Sequence, residues 1–126
     1  MTKTHSTFKD FGSSVSQLDR ALRLENNLTN RDSAIKRFEL TFDLAWKTLK
    51  SQIESEKGLI VKSPKDTFRE AYRQGLMAYQ PKWLKLVDLR NQSVHEYNSK
   101  AALKIYKRLP AALKLFQSLL KNLTTP

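Results

Sequence analysis

Ile35-Lys36-Arg37-Phe38-Glu39-Leu40-Thr41-Phe42-Asp43-Leu44-Ala45-Trp46-Lys47-Thr48-Leu49-Lys50-Ser51-Gln52-Ile53 is the stretch that decides the fold class. Its apolar residues Ile35, Phe38, Phe42, Ala45, Leu49 and Ile53 recur at steps of three and four. Such spacing winds a single apolar stripe along one side of a helix, ready to face a core. The same rhythm flanks it on both sides. Phe8, Phe11, Val15, Leu18 and Leu22 carry it before, and Ala102, Ile105, Leu109, Ala112, Phe116, Leu119 and Leu123 carry it after. No segment of comparable length alternates with a period of two. Gly58-Leu59-Ile60-Val61 is apolar but too short to argue for a sheet.

The helix boundaries are also written in the chain. Asn30 or Thr29 can cap a helix starting near Arg31, and Gly58 can close it. Ser63-Pro64-Lys65-Asp66 combines a capping hydroxyl, a proline at the first helical position and an acid at the positive end of the dipole. Gly75 ends that helix, Gln80-Pro81 opens another, and Asn98-Ser99 breaks or caps before the last. Pro110 lies inside the last pattern and is expected to kink it. Gly12-Ser13-Ser14 weakens the first helix, which is expected to fray or to swap onto a partner. The predicted helices lie near 5–27, 31–57, 64–75, 81–96 and 99–123. Long helices with short connections make an all-α, antiparallel four-helix-type bundle with an extra short helix. Phe38, Phe42, Trp46, Phe68, Tyr72 and Phe116 are the expected core aromatics. Tyr79, Trp83 and Tyr106 fit either packing or base stacking.

Composition narrows the function. The chain has 126 residues, no cysteine, 23 basic and 12 acidic side chains, and a net charge of +11. Without cysteine there is no disulfide framework, thiolate metal site or thiol nucleophile. The longest uncharged runs, Phe11–Leu18 and Gln74–Pro81, fall far short of the roughly 20 apolar residues of a membrane span. Met1-Thr2-Lys3-Thr4-His5 leads into no apolar run, so no signal peptide is expected. The expectation is a single cytoplasmic domain over residues 1–126 with an anionic partner. The excess is asymmetric. Residues 1–62 carry 11 basic and 8 acidic side chains, whereas residues 63–126 carry 12 basic and 4 acidic. No acid follows Glu96, and Lys100, Lys104, Lys107, Arg108, Lys114 and Lys121 stripe the last helix. Such a stripe is either a solvated face or a surface that tracks RNA phosphates.

One segment can carry chemistry: Leu89-Arg90-Asn91-Gln92-Ser93-Val94-His95-Glu96-Tyr97. Asn91 and His95 share a helix face at four residues' separation. Arg90 and His95 differ by roughly 140° around the axis, yet the long arginine arm lets both heads reach one phosphate. Histidine suits proton transfer near neutral pH. Arginine holds phosphate in a planar fork and stabilises charge developing on it. His95 can take the proton of a ribose 2′-hydroxyl so that the oxygen attacks the adjacent phosphorus, and Asn91 can orient the imidazole or bind a phosphate oxygen. That chemistry needs no metal, and no cofactor is implied. Spacing alone is equally compatible with a solvated face or a capping pair at a helix end.

Arg90-x4-His95-x-Tyr97 resembles the Arg-x4-6-His signature, with its trailing x-Tyr, of the HEPN superfamily. Phe38 to Lys50, Ser63 to Ala71 with Gly75-Leu76, Trp83, and Asp88-Leu89-Arg90-Asn91 resemble its nucleotidyltransferase substrate-binding branch. The resemblance implies a bundle that forms a homodimer with its motif helices facing each other. It implies a metal-independent endoribonuclease toxin of a toxin–antitoxin pair, with Arg90 and His95 catalytic and Asn91 assisting. The implied partner is a cognate minimal nucleotidyltransferase, the antitoxin, which adds AMP to Tyr97. Two other readings stay open: a non-catalytic nucleotide- or substrate-binding subunit of a two-component nucleotidyltransferase, and a basic helical DNA-binding protein. No helix-turn-helix recognition helix supports the last.

Overall fold

A computed structural model describes residues 3–78, 81–95 and 98–124. Over these residues the chain forms five helices: α1 (Lys3–Leu22), α2 (Leu28–Lys57), α3 (Pro64–Arg73), α4 (Pro81–His95) and α5 (Ser99–Thr124). No strand occurs among the described residues. None of the helices is long and apolar enough to cross a membrane.

Helix α2 is the central member and packs against all four others. Side-chain pairs give the directions. Ser14 meets Thr41 and Gln17 meets Arg37, so α1 and α2 run antiparallel. Glu39 meets Ser93 and Phe42 lies under Arg90, so α2 and α4 do likewise. The buried stripe of α2 is the one its sequence announces: Ile35, Phe38, Phe42, Ala45, Leu49 and Ile53 are all buried. Thr41 and Thr48 interrupt the apolar face at no polar cost. Each hydroxyl donates to the carbonyl four residues back, Arg37 and Leu44 respectively, both at 2.7 Å.

A network of rings fills the centre. Phe116 of α5 lies 6.3 Å from Phe11, 6.2 Å from Phe38 and 5.9 Å from Trp83, between ring centroids. Phe68 bridges Phe42 at 5.9 Å and Trp83 at 4.9 Å. Trp83 is thereby core, which removes it from the residues free to stack a base. Trp46 and Tyr106 are partly buried against the same core, and Tyr79 lies outside the described residues. Tyr72 departs from expectation: it is 49% exposed, because α3 is short and buries only Thr67, Phe68 and Ala71.

Several boundaries follow the capping chemistry. Ser63 caps α3 by accepting from the Asp66 amide, with Pro64 at the first turn. Gly58 ends α2 at φ 67°, and Gly75 adopts φ 73° after α3. There the Gly75 amide donates to the Tyr72 carbonyl and the Leu76 amide to the Ala71 carbonyl, a paired closure of the helix end. Replacing Ser63 with alanine removes the cap. We expect a loss of about 1 kcal/mol, read as a lower urea midpoint at an unchanged slope.

Three expectations are corrected. Helix α1 ends at Leu22 rather than near 27, and α2 starts at Leu28, one turn before Arg31. Asn27, not Asn30 or Thr29, is the cap: its side chain accepts from the Asn30 amide at 2.9 Å. Asn30 instead donates to the Glu25 carbonyl, tying down the link. The first segment also does not fray at Gly12-Ser13-Ser14. Helix α1 runs through it, with Gly12 against Leu120 and Ser14 hydrogen-bonded to Thr41 at 2.6 Å. Tertiary packing outweighs local propensity there. Helix α5 continues through Pro110, which is exposed and leaves the Tyr106 carbonyl without its intrahelical donor.

Candidate functional site

Packing fixes the rotation of α4. Trp83, Leu86, Val87 and Leu89 are buried and turn Arg90 toward the α2 side. The Arg90 guanidinium lies over the Phe42 ring, 5.8 Å from its centroid. Its Nε is buried with no hydrogen-bond partner among the described residues, and Nη1 donates to Asn91 Oδ1 at 3.2 Å. The apolar ring beneath and the amide beside it hold the planar head in one orientation. Ser93, about one turn further along α4, lies 2.8 Å from Glu39 Oε2 on α2 and 2.9 Å from the Arg90 carbonyl. Its hydroxyl links α4 to α2 directly below the motif.

His95 is the last residue of α4 and is exposed, as is Asn91. Of the roles open to Asn91, the geometry shows another: its Oδ1 accepts from Arg90. Tyr97 lies outside the described residues. Asn98 begins the return: its carboxamide oxygen accepts from the Ala101 amide at 2.9 Å and caps α5. Helix α5 then runs back beside α4, so Lys100, Lys104, Lys107 and Arg108 stand exposed next to the motif helix. A groove of about 370 Å³ opens between the two helices, lined by Leu89, Gln92, Lys104, Ile105, Lys107 and Arg108. Among the described residues, no three histidine, aspartate or glutamate side chains gather as a metal site.

The structure thus brings Lys104, Lys107 and Arg108 together with α4 in one groove, and sets Lys100 about one turn before them. It adds three residues that spacing did not reveal. Phe42 supports Arg90, Glu39 meets Ser93, and Gln92 lines the groove. Phe42 and Glu39 sit on a different helix, far from the motif in sequence, and nothing local ties them to it.

The family model described as nucleotidyltransferase substrate binding protein like matches residues 6–125. The chain belongs to this family. It is the branch of the HEPN superfamily that Phe38 to Lys50 and Ser63 to Ala71 resemble. Among relatives of this HEPN chain, a Haemophilus influenzae protein named probable ribonuclease HepT is 31% identical over 80 residues. The match covers 60% of this chain and 55% of that protein, so the chain spans little more than half of that relative's length. A crystal structure from Thermus thermophilus superimposes with a TM-score of 0.81 at 33% identity, covering 91% of this chain and 99% of that one. A second, from Haemophilus influenzae, is described as revealing the fold of a substrate-binding domain of a nucleotidyltransferase. It superimposes with a TM-score of 0.69 at 25% identity, covering 97% of each chain.

Proposed function

We infer that this HEPN chain is a metal-independent endoribonuclease, the toxin of a toxin–antitoxin pair. The observation that carries the reading is the end of α4: an exposed His95 on the same helix as a fixed Arg90, beside the all-basic face of α5. The relative named probable ribonuclease supports it. His95 takes the proton of a ribose 2′-hydroxyl, and the 2′-oxygen attacks the adjacent phosphorus. The 5′-oxygen leaves and takes up a proton from solvent, to which the His95 imidazolium returns its own, giving a cyclic phosphate end and a free 5′-hydroxyl end. Arg90 stabilises the charge on the phosphoryl oxygens, and Asn91 holds Arg90 in place. Base and charge stabiliser both come from the protein, so no step requires a metal ion. Lys100, Lys104, Lys107 and Arg108 draw the RNA backbone alongside, an attraction that weakens with salt.

In this reading the chain acts in the cytoplasm as one domain over residues 1–126 and as a homodimer with its motif helices facing each other. A cognate minimal nucleotidyltransferase silences it by adding AMP to Tyr97, two residues beyond His95. The added phosphate brings negative charge and bulk into a site built for phosphate. Co-expression with that transferase should add one or more AMP masses to the wild type and none at this position in Tyr97→Phe, read by peptide mass spectrometry. Unmodified wild type would remove this part of the proposal.

The family description and the nucleotidyltransferase-domain neighbour favour a second reading, a non-catalytic nucleotide- or substrate-binding subunit. The deciding experiment incubates the purified chain with RNA in excess chelator. Cleavage supports the nuclease. A stable complex with the transferase and no cleavage supports the binding subunit.

A further inference from the structure

The groove between α4 and α5 has a construction that phosphate tracking alone does not need. Its floor is apolar: Leu89 and Ile105 are 5% and 2% exposed. Its rim is cationic, with exposed Lys104, Lys107 and Arg108 on one face of α5 at three- and four-residue spacing. Among the described residues, no carboxylate lines it and none pairs with these three cations. The remaining lining group is the half-buried carboxamide of Gln92. The volume of about 370 Å³ lies at the small end of the range for pockets that take small ligands.

These parts complement one nucleotide. Cations meet a phosphate, and the carboxamide offers one donor and one acceptor to a base edge. Position gives the groove its place in the reaction. Leu89, Gln92 and His95 follow one another at three-residue steps along one ridge of α4. Gln92 therefore stands about 4.5 Å before His95 along the helix axis, from three residues at about 1.5 Å each. Three residues also turn by about 60° around the axis, so Gln92 and His95 sit on adjoining faces, and neighbouring nucleotides of one strand can occupy both.

We propose that the α4–α5 groove is a base-reading subsite for single-stranded RNA flanking the reacting phosphate, with Gln92 as the specificity-determining residue. This rests on the nuclease reading for its location but not for its binding. A glutamine carboxamide makes its characteristic bidentate pair with adenine, donating to N7 and accepting from the N6 amine, and the matching edge of uracil offers only an acceptor. The cations supply affinity without preference.

The test uses fluorescence anisotropy with uridine octamers, with and without a single adenosine. The octamers are 2′-O-methylated, so no 2′-hydroxyl is present to attack and binding is read without cleavage. The full-length wild type is expected to bind the adenosine-containing octamer roughly tenfold more tightly. Gln92→Ala should bind both octamers equally, near the weaker wild-type value and with the same salt dependence. Lys104→Ala/Lys107→Ala/Arg108→Ala should bind both more weakly, lower the salt slope and keep the ratio between them. A wild type without preference, or a preference that survives Gln92→Ala, overturns the subsite. A chain that shows the Gln92-dependent preference but never cuts unprotected RNA keeps the subsite and refutes the nuclease. A chain that cuts RNA without that preference does the reverse.

Discussion

His95→Ala is expected to lower RNA cleavage by about 100-fold to 10,000-fold, the usual contribution of a positioned proton-transfer group. The 2′-hydroxyl is a poor nucleophile until its proton is removed, and His95 is the proposed base at the exposed end of α4. Because the side chain is exposed, the fold should be untouched, and the variant should unfold at the wild-type urea concentration. Arg90→Lys is a sharper companion. It keeps the charge but loses the planar fork that lies on Phe42 and reaches Asn91. Initial rates on a labelled RNA, in chelator, separate the outcomes. Wild-type cleavage by His95→Ala would end the assignment of this residue as the base.

Phe116→Ala is expected to produce the largest loss of stability, about 3–5 kcal/mol. Phe116 is fully buried and its ring meets rings from α1, α2 and α4 at once. Truncation leaves a void that four helices would have to close together, so relaxation is limited. A domain of this size has about 5–15 kcal/mol in total, so the variant should sit near the edge of folding at 37 °C. Tyr72→Ala is the internal comparison. Its side chain is half exposed and should change stability by no more than about 0.5 kcal/mol. Urea unfolding followed by circular dichroism checks both. A Phe116→Ala loss below about 1 kcal/mol would contradict the central place given to this ring.

Much of the fold was legible because helices are local objects. The three- and four-residue steps of Ile35 to Ile53 reappear as the buried face of α2, and Ser63-Pro64 and Gly58 act where their backbone preferences put them. The errors fall where local signals compete. Asn27, Thr29 and Asn30 can all cap, and Asn27 takes the role while Asn30 ties down the link through Glu25. Gly12-Ser13-Ser14 reads as weak until Leu120 and Thr41, far away in the chain, pack against it. Tyr72 carries the stripe pattern of α3, but a helix that short covers too little surface to bury it.

The helical class, the basic second half and the Arg90–His95 spacing are legible in the chain alone, because periodicity, charge count and motif spacing are properties of consecutive residues. Helix packing is what sets Arg90 on Phe42 and Ser93 against Glu39, and what places Gln92 in a groove with Lys104, Lys107 and Arg108. Those pairings depend on how each helix is rotated about its own axis. That rotation is set by the joint packing of the central rings.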